Sequence, residues 1–404
     1  MKSRLNILLL AVVLVGSMAF VSCADNDDFG PSIFDTTDYP LDRTAYSFPL
    51  DSFLKAQFLE PYNVKFIYRM EDIGSDMNKN LVPATYNQSV ELAVLSKYLW
   101  YDVYKECAGE VFLKKYSPRI IHCIGSKSYN PSQGTETLGV AEGGVKITLY
   151  NVNTLNPANI NEINEYFFKT MHHEFGHILD QKHLHPTSFN LISNTRYNSQ
   201  WGDMPDSVAA GLGFVSPYAS SDAREDWVET LANYVTRDPF TWKQTLSTAE
   251  YEWETEDIDK SDEYYSRITP GCSLDTIGYF RPNKNGKGKI YRRLCVRNEK
   301  GNVVLGEDGK PQWIHTSPID GKTTILKKLE LVREYLKSYY KIDIDQLRDM
   351  VQRRQFVINN DGTYALDSNG RLINKLTSPS EEDPSRTVIE VLVDQVNSLK
   401  ALQK

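Results

Sequence analysis

The sequence is poor in several things that would place it quickly. Five cysteines are spread over 404 residues. None has Cys-x-x-Cys spacing, which argues against a cysteine-bound zinc or a dithiol redox pair. Positive charge is not in excess: 45 Lys and Arg stand against 53 Asp and Glu, a formal net charge of −8. No basic stripe reverses that balance locally, so the chain is not read as a nucleic-acid binder. No internal repeat is apparent. What remains, with 41% hydrophobic residues, suits a soluble globular chain of two or three domains.

The first segment is a targeting device. Lys2 and Arg4 precede the apolar run Leu5 to Val21, which is short for a spanning helix and ends in small residues. Phe20-Val21-Ser22-Cys23 resembles a bacterial lipobox, although Phe20 stands where Leu is usual; the alternative is an ordinary secretory signal with an incidental cysteine. The resemblance implies removal of residues 1–22 and lipidation of Cys23. Asp25, Asn26, Asp27 and Asp28 follow closely and resemble the surface-export tether of Bacteroidetes lipoproteins. That implies an outer-membrane lipoprotein facing the cell exterior, with residues 23–45 as an acidic tether. In an exported chain Cys107, Cys123, Cys272 and Cys295 are either buried thiols or disulfide partners, Cys272–Cys295 among the pairings.

From Phe53 onward the pattern becomes structured. Asn63 to Met70 alternates as a strand does, and Arg119–Ile124 and Gly144–Tyr150 read as two more. Val90, Leu92, Leu95, Leu99, Val103 and Tyr104 recur at helical spacing, with Ser89 as the expected cap. Ile163, Phe167 and Met171 continue such a period toward residue 180, and His185-Pro186 marks its end. Thr187–Pro217 reads as loop. A helix is expected from Asp222 to Arg237, with Asp222 and Glu225 at the spacing of a capping pair. Composition shifts after Asp238, and the turn signals Asn285-Gly286 and Asp308-Gly309 mark 246–320 as a β-rich insertion. Helices are expected again over Thr323–Tyr340, Ile344–Arg354 and Arg386–Leu402, with a hairpin at Asn359-Asn360-Asp361-Gly362.

The chemistry concentrates in Met171-His172-His173-Glu174-Phe175-Gly176-His177. On a helix, positions i and i+4 share a face, so His173 and His177 can present two imidazoles to one ion. Glu174 sits beside them as a general base for a metal-held water. Two candidates compete for the third ligand. His183 lies ten residues after His173, a metzincin spacing, but Asp180 occupies the place where a glycine would turn the chain, and Met204 is a poor methionine turn. Glu225, on the later helix, is the alternative.

The segment His173 to His177 followed by Asp180 resembles the metal helix of the anthrax lethal factor catalytic domain. Tyr218, Glu225, Asp226-Trp227 and Glu229 resemble that family's second motif, with Asp226 where an aromatic is usual. The resemblance spans about residues 144–237. It implies Glu225 as third zinc ligand, Tyr218 as hydrogen-bond partner of the developing oxyanion or the leaving group, and Glu229 as a carboxylate orienting a ligand histidine. The whole layout also resembles the Bacteroidetes zinc metallohydrolase lipoproteins associated with substrate import, a putative zinc-binding metallopeptidase family. That resemblance implies a TonB-dependent porin and its substrate-binding lipoprotein as partners.

The expectation is therefore an α+β protein. It has a zincin-like catalytic domain of gluzincin type over 46–245, the insertion over 246–320 and a helical region over 321–404. One Zn2+ sits on His173, His177 and Glu225, with Glu174 and Tyr218 as catalytic residues, acting on a peptide or protein substrate. The alternative is a non-catalytic substrate-binding lipoprotein with a vestigial or structural metal, whose aromatics Tyr251, Trp253, Tyr264 and Tyr265 stack on a glycan or peptide.

Overall fold

The computed structural model describes residues 41–70, 81–130, 135–137, 139–142, 145–258, 288–300, 302–315 and 318–403. The expected signal segment, Cys23, Cys272, Tyr264, Tyr265 and the expected turn at Asn285-Gly286 lie outside the described residues. Arg43–Lys404 forms one compact unit. Among the described residues no helix is long and apolar enough to cross a membrane.

The fold contains a small four-stranded sheet: β1 (Lys65–Ile67), β2 (Ile120–Cys123), β3 (Gly139–Glu142) and β4 (Lys146–Leu149). Its spatial order is β1-β2-β4-β3. The first three neighbours are parallel, and β3 closes the edge antiparallel to β4, with Val140 opposite Thr148. Ile121, Cys123, Ile147 and Leu149 are fully buried. The first strand is shorter than its alternation suggested. Asn63 and Val64 leave it because Asn63 takes a left-handed conformation, φ 55°, as it ends the preceding helix.

α1 joins Tyr86–Ser96, the π-turn Lys97–Tyr101 and Asp102–Ala108 into one helix over 86–108. It begins three residues before Ser89. Ser89 is not the cap; it is buried inside the first turn with its hydroxyl on the Thr85 carbonyl at 2.6 Å. α2 is built likewise from Ile160–Ile163, the π-turn Asn164–Phe168 and Lys169–Lys182. Asn159 caps it, accepting from Glu162 N at 3.2 Å. The chain leaves α2 at His183, in extended conformation, earlier than His185-Pro186 suggested. α3 (Ala223–Thr236) starts on the Asp222 side chain, which accepts from the Arg224 and Glu225 amides. The region 187–217 is less irregular than its composition implied, with short helices at Thr187–Ile192 and Asp206–Gly211.

α4 runs from Gly321–Tyr335 into the π-turn Leu336–Tyr340, α5 is Ile344–Gln355 and α6 is Val388–Asn397. These helices share the main hydrophobic cluster with α1, α2, α3 and the sheet: Ile178, Trp227, Leu231, Leu329, Val332, Tyr335 and Val351 all belong to it. An amide pair bonds α5 to α2 in both directions, Asn164 Nδ2 to Gln355 Oε1 at 3.0 Å and Gln355 Nε2 to Asn164 Oδ1 at 2.7 Å.

The structure corrects the reading that the chain has no repeat. Bridges Cys295–Trp313, Arg297–Val303 and Leu305–Pro311 recur as Phe356–Asn374, Ile358–Tyr364 and Leu366–Leu372, every partner displaced by 61 positions. The backbone bonds match too. Asn298 N to Asn302 O and Gly306 N to Lys310 O recur as Asn359 N to Thr363 O and Asp367 N to Arg371 O. Each three-stranded meander precedes a helix, α4 or α6. Val296, Asn298, Gly301, Leu305, Gly309 and Thr316-Ser317-Pro318 find their equals at Val357, Asn359, Gly362, Leu366, Gly370 and Thr377-Ser378-Pro379. Gly309 and Gly370 both take left-handed turn conformations, φ 71° and 75°. These sparse turn and strand identities have no helical period, which is why hydrophobic patterning passes over them.

Candidate metal centre

α2 and α3 pack side by side, and glycine sets how closely. A Cβ placed on Gly176 would meet Val228 Cγ1 at 2.9 Å and Val228 Cβ at 3.2 Å. A helix-interior glycine that costs ~1 kcal/mol relative to alanine is thus explained by the approach of the second helix.

That approach brings three ligand atoms together. Glu225 Oε2 lies 3.1 Å from His173 Nε2 and 3.4 Å from His177 Nε2. The two imidazole centroids are 4.9 Å apart with planes at 82°. Among the described residues, His173, His177 and Glu225 are the one group of His, Cys, Asp and Glu whose ligand atoms converge so tightly, all within 4.8 Å. Glu225 is partly buried, His177 more so, and His173 is buried.

The chemistry of this set fits a divalent cation. His173 Nδ1 faces Glu229 Oε1 at 2.8 Å, so the neutral ring donates from Nδ1 and carries its lone pair on Nε2. That lone pair points at Glu225 Oε2, which has no aligned proton donor among the described residues. Three acceptors facing one another repel unless a cation lies between them. Zinc takes two imidazole nitrogens and one carboxylate oxygen and leaves a fourth position open. Without metal, burial disfavours a charged His173, but the Glu225 and Glu229 carboxylates outweigh it and raise its pKa to about 10. Glu225 and Glu229 are in turn held ionised, their pKa values lowered by the histidines against the effect of burial.

Glu229, one turn after Glu225 on α3, is 3% exposed. Its second oxygen accepts from Ser216 Oγ at 2.5 Å and Asn233 Nδ2 at 2.9 Å. A buried carboxylate with a partner on each oxygen is fixed in direction, and it fixes the His173 ring. His177 has no such support: its Nδ1 is buried with no hydrogen-bond partner among the described residues.

Tyr218 lies in a 3-10 turn, Tyr218–Ser220, just before α3. Its ring stacks on His173 at 5.8 Å and 23°, and its hydroxyl bonds to Glu225. Burial and the neighbouring carboxylates, Glu225 foremost, raise its pKa, so the phenol keeps its proton. Trp201 packs edge-on against Tyr218 at 4.8 Å. Glu174 is 6% exposed and lies within electrostatic reach of both His173 and Tyr218.

Other histidines and carboxylates of the region go elsewhere. His183 stacks on Tyr339 at 4.7 Å and is not in the converging group. His172 is fully buried against Tyr104, Nδ1 3.0 Å from its hydroxyl, and burial pushes its pKa down to about 3. Asp180 accepts from the His185 amide at 2.7 Å and its ring Nδ1 at 2.8 Å, so it ties down the chain leaving α2 rather than a ligand. Cys107 and Cys123 are free thiols, their pKa values raised by burial, Cys107 to about 12.

Ser216, Asn233 and Trp201 have no site role in the sequence reading, and Val228 figures there only on the apolar side of its helix. Asn233 had a signal, since it follows Glu229 by one helical turn. Ser216 and Trp201 reach the site through loops whose course no local pattern specifies.

Fold and centre together define the class: a mixed α+β protein with two histidines and one carboxylate placed where they could hold a metal ion. Residues 44–345 match the family described as putative zinc-binding metallo-peptidase, and the chain belongs to that family. Among solved structures it is similar to the crystal structure of a putative zinc-binding metallo-peptidase from Bacteroides caccae. The two are 32% identical over 76% of this chain and 91% of that one, with a TM-score of 0.52. No curated protein matches the chain.

Proposed function

We propose that this chain is a zinc-dependent metallopeptidase, carried on the outer face of the outer membrane beside a nutrient import system. The observation that carries the catalytic part is the grouping of Glu174 and Tyr218 about the converging His173, His177 and Glu225. A structural metal needs neither a carboxylic base nor a phenolic donor beside it. Bound zinc would polarise a carbonyl and bring the pKa of a water to ~7.

The protein's own groups then have distinct tasks. Glu174 accepts a proton from the attacking water and delivers it to the leaving amine. Tyr218, protonated throughout, turns its hydroxyl from Glu225 to the developing oxyanion. Glu229 keeps the lone pair of His173 on Nε2. β3, at the sheet edge beside α2, offers backbone groups to which an extended peptide can add as a strand.

The location rests on Lys2, Arg4, the apolar run to Val21, Cys23 and the acidic residues that follow. The import setting rests on the resemblance of the whole layout, with a TonB-dependent porin and its substrate-binding lipoprotein as partners. Radiolabelled palmitate should enter the wild type and not Cys23→Ala.

The catalytic reading is tested with Glu174→Gln. The variant should bind one zinc per chain, by metal analysis, and fail to cleave a peptide library that the wild type digests. Full turnover by zinc-loaded Glu174→Gln would sink the mechanism. A zinc-loaded wild type that binds peptides without cleaving them would favour the substrate-binding alternative.

A further inference from the structure

Both helices that present the metal ligands are gripped by a third element, α4. Tyr340 donates its hydroxyl to the Leu179 carbonyl at 2.6 Å, and Tyr335 to the His183 carbonyl, so the C-terminal end of α2 is held by two phenols. α3 is held differently. Lys328 is a lysine with 0% exposure, and its Nζ lies 2.6 Å from Asp226 Oδ2. The same ammonium donates to the Gly213 carbonyl at 2.8 Å and sits 4.0 Å over the ring of Phe214. Asp226 Oδ2 also accepts from Tyr197 at 3.1 Å.

The two anchors of Lys328 bear on opposite sides of the site. Asp226 directly follows Glu225; the two are turned ~100° from each other about the axis of α3. Fixing Asp226 in direction therefore fixes the rotation of α3, and with it the reach of Glu225 toward the histidines. Gly213 heads the short stretch that carries Ser216, which holds Glu229, and Tyr218, which stacks on His173. Gly213 is in a left-handed conformation, φ +85°, and a Cβ there would strike Thr324 of α4 at 2.4 Å. The stretch is thus pressed onto α4 at the point where Lys328 takes its carbonyl. A buried ion pair is weak as a source of stability, because desolvating both charges offsets their attraction. Its directionality is what an apolar contact cannot supply.

We propose that Lys328 is a positioning residue of the metal centre, setting the rotation of the Glu225 helix through Asp226 and the placement of the Ser216–Tyr218 turn through Gly213. This rests on the metal site above and not on the peptidase reaction, so its test reads metal binding first.

The experiment compares wild type, Lys328→Met, the double variant Lys328→Met with Asp226→Leu, and Gln355→Leu. Zinc dissociation constants come from chelator competition, and site geometry from the visible spectrum of the cobalt-substituted proteins. Gln355→Leu breaks the buried amide pair with Asn164, away from the ligands; it should lower the melting temperature and leave zinc affinity and spectrum unchanged. Lys328→Met should weaken zinc about tenfold or more, the range seen when outer-shell partners are removed, and alter the cobalt spectrum.

The double variant removes one positive and one negative charge, leaves no unpaired buried ion and should fold at least as well as wild type. It should still bind zinc about tenfold more weakly, because the directional restraint is gone. Wild-type zinc affinity and cobalt spectrum in the folded double variant would overturn the proposal. If the wild type cleaves peptides, both Lys328 variants should lose kcat with little change in KM. If it cleaves none, the peptidase reading fails and the metal measurements still decide the role of Lys328.

Discussion

The carboxylate of Glu229 lies 2.8 Å from His173 Nδ1, on the side of the ring opposite the converging Nε2, and neither oxygen of that carboxylate faces solvent. One side chain thereby decides the tautomer, the orientation and the basicity of a metal ligand. Glu229→Gln keeps the shape and removes the anion. It should weaken zinc ~10–100-fold while leaving the far-ultraviolet dichroism unchanged. Chelator competition at neutral pH checks this, and an unchanged dissociation constant would show that packing alone orients His173.

Proton release follows from the same relationship. In the metal-free protein the pKa of His173 is raised to about 10, so at lower pH the ring carries a proton that zinc must expel. Between pH 7 and 9, zinc affinity should rise about tenfold per pH unit through this group, with one proton released from His173. Calorimetry in buffers of different ionisation enthalpy counts that proton. The sign for stability is the reverse. The contribution of His173 to the metal-free fold is full below its unfolded value of ~6.5 and is lost as pH rises through about 10.

Gly176→Ala sets two effects against each other. Helix propensity favours alanine by ~1 kcal/mol, but the new Cβ meets Val228, a fully buried β-branched residue, at 2.9 Å. Overpacking of this kind costs ~1–3 kcal/mol, and the helix faces that must part are those presenting the ligands. The variant should melt at lower temperature and bind zinc more weakly. A higher melting temperature with unchanged zinc affinity would refute the close-approach argument.

Glu225→Ala and His183→Ala separate the two candidates for the third ligand. Removing the Glu225 carboxylate should weaken zinc by at least about tenfold, since its oxygen stands within reach of both imidazoles. Removing His183, which stacks on Tyr339, should leave zinc unchanged. Equilibrium dialysis suffices, and the reverse pattern would return the site to the metzincin arrangement.

The parts of the fold that could be read from the chain were those with a local cause. The periods running into His173 and through Trp227, Leu231 and Val235 mark two helices, and Asp222 caps the second as its residue type invites. Helix ends were read less well. Ser89 looked like a cap because serine prefers one, yet the core claimed it and α1 starts at Tyr86. The paired meanders at 295–313 and 356–374 leave no periodic signal, because their repeat is one of bridges and turns with few identical residues. Lys328 left a trace: it falls on the stripe of Ile325, Leu329 and Val332, where a lysine is out of place. The sequence offers no means of telling an error in the stripe from a buried partner.

By itself the sequence determined that two imidazoles share one helical face with a carboxylate beside them, because i and i+4 spacing is a property of the helix alone. It also determined the capped start of α3, but not the edge strand β3, which lies in a segment whose composition reads as turns. Only the tertiary structure decided that Glu225 meets His173 and His177, that Glu229, Ser216 and Asn233 stand behind His173, and that α4 grips both ligand helices. The physical reason is range. Dihedral preference, capping and periodicity act within a few residues. The distance between α2 and α3 depends on what fits between Gly176 and Val228, and on buried bonds such as Lys328 to Asp226 that join positions 102 residues apart.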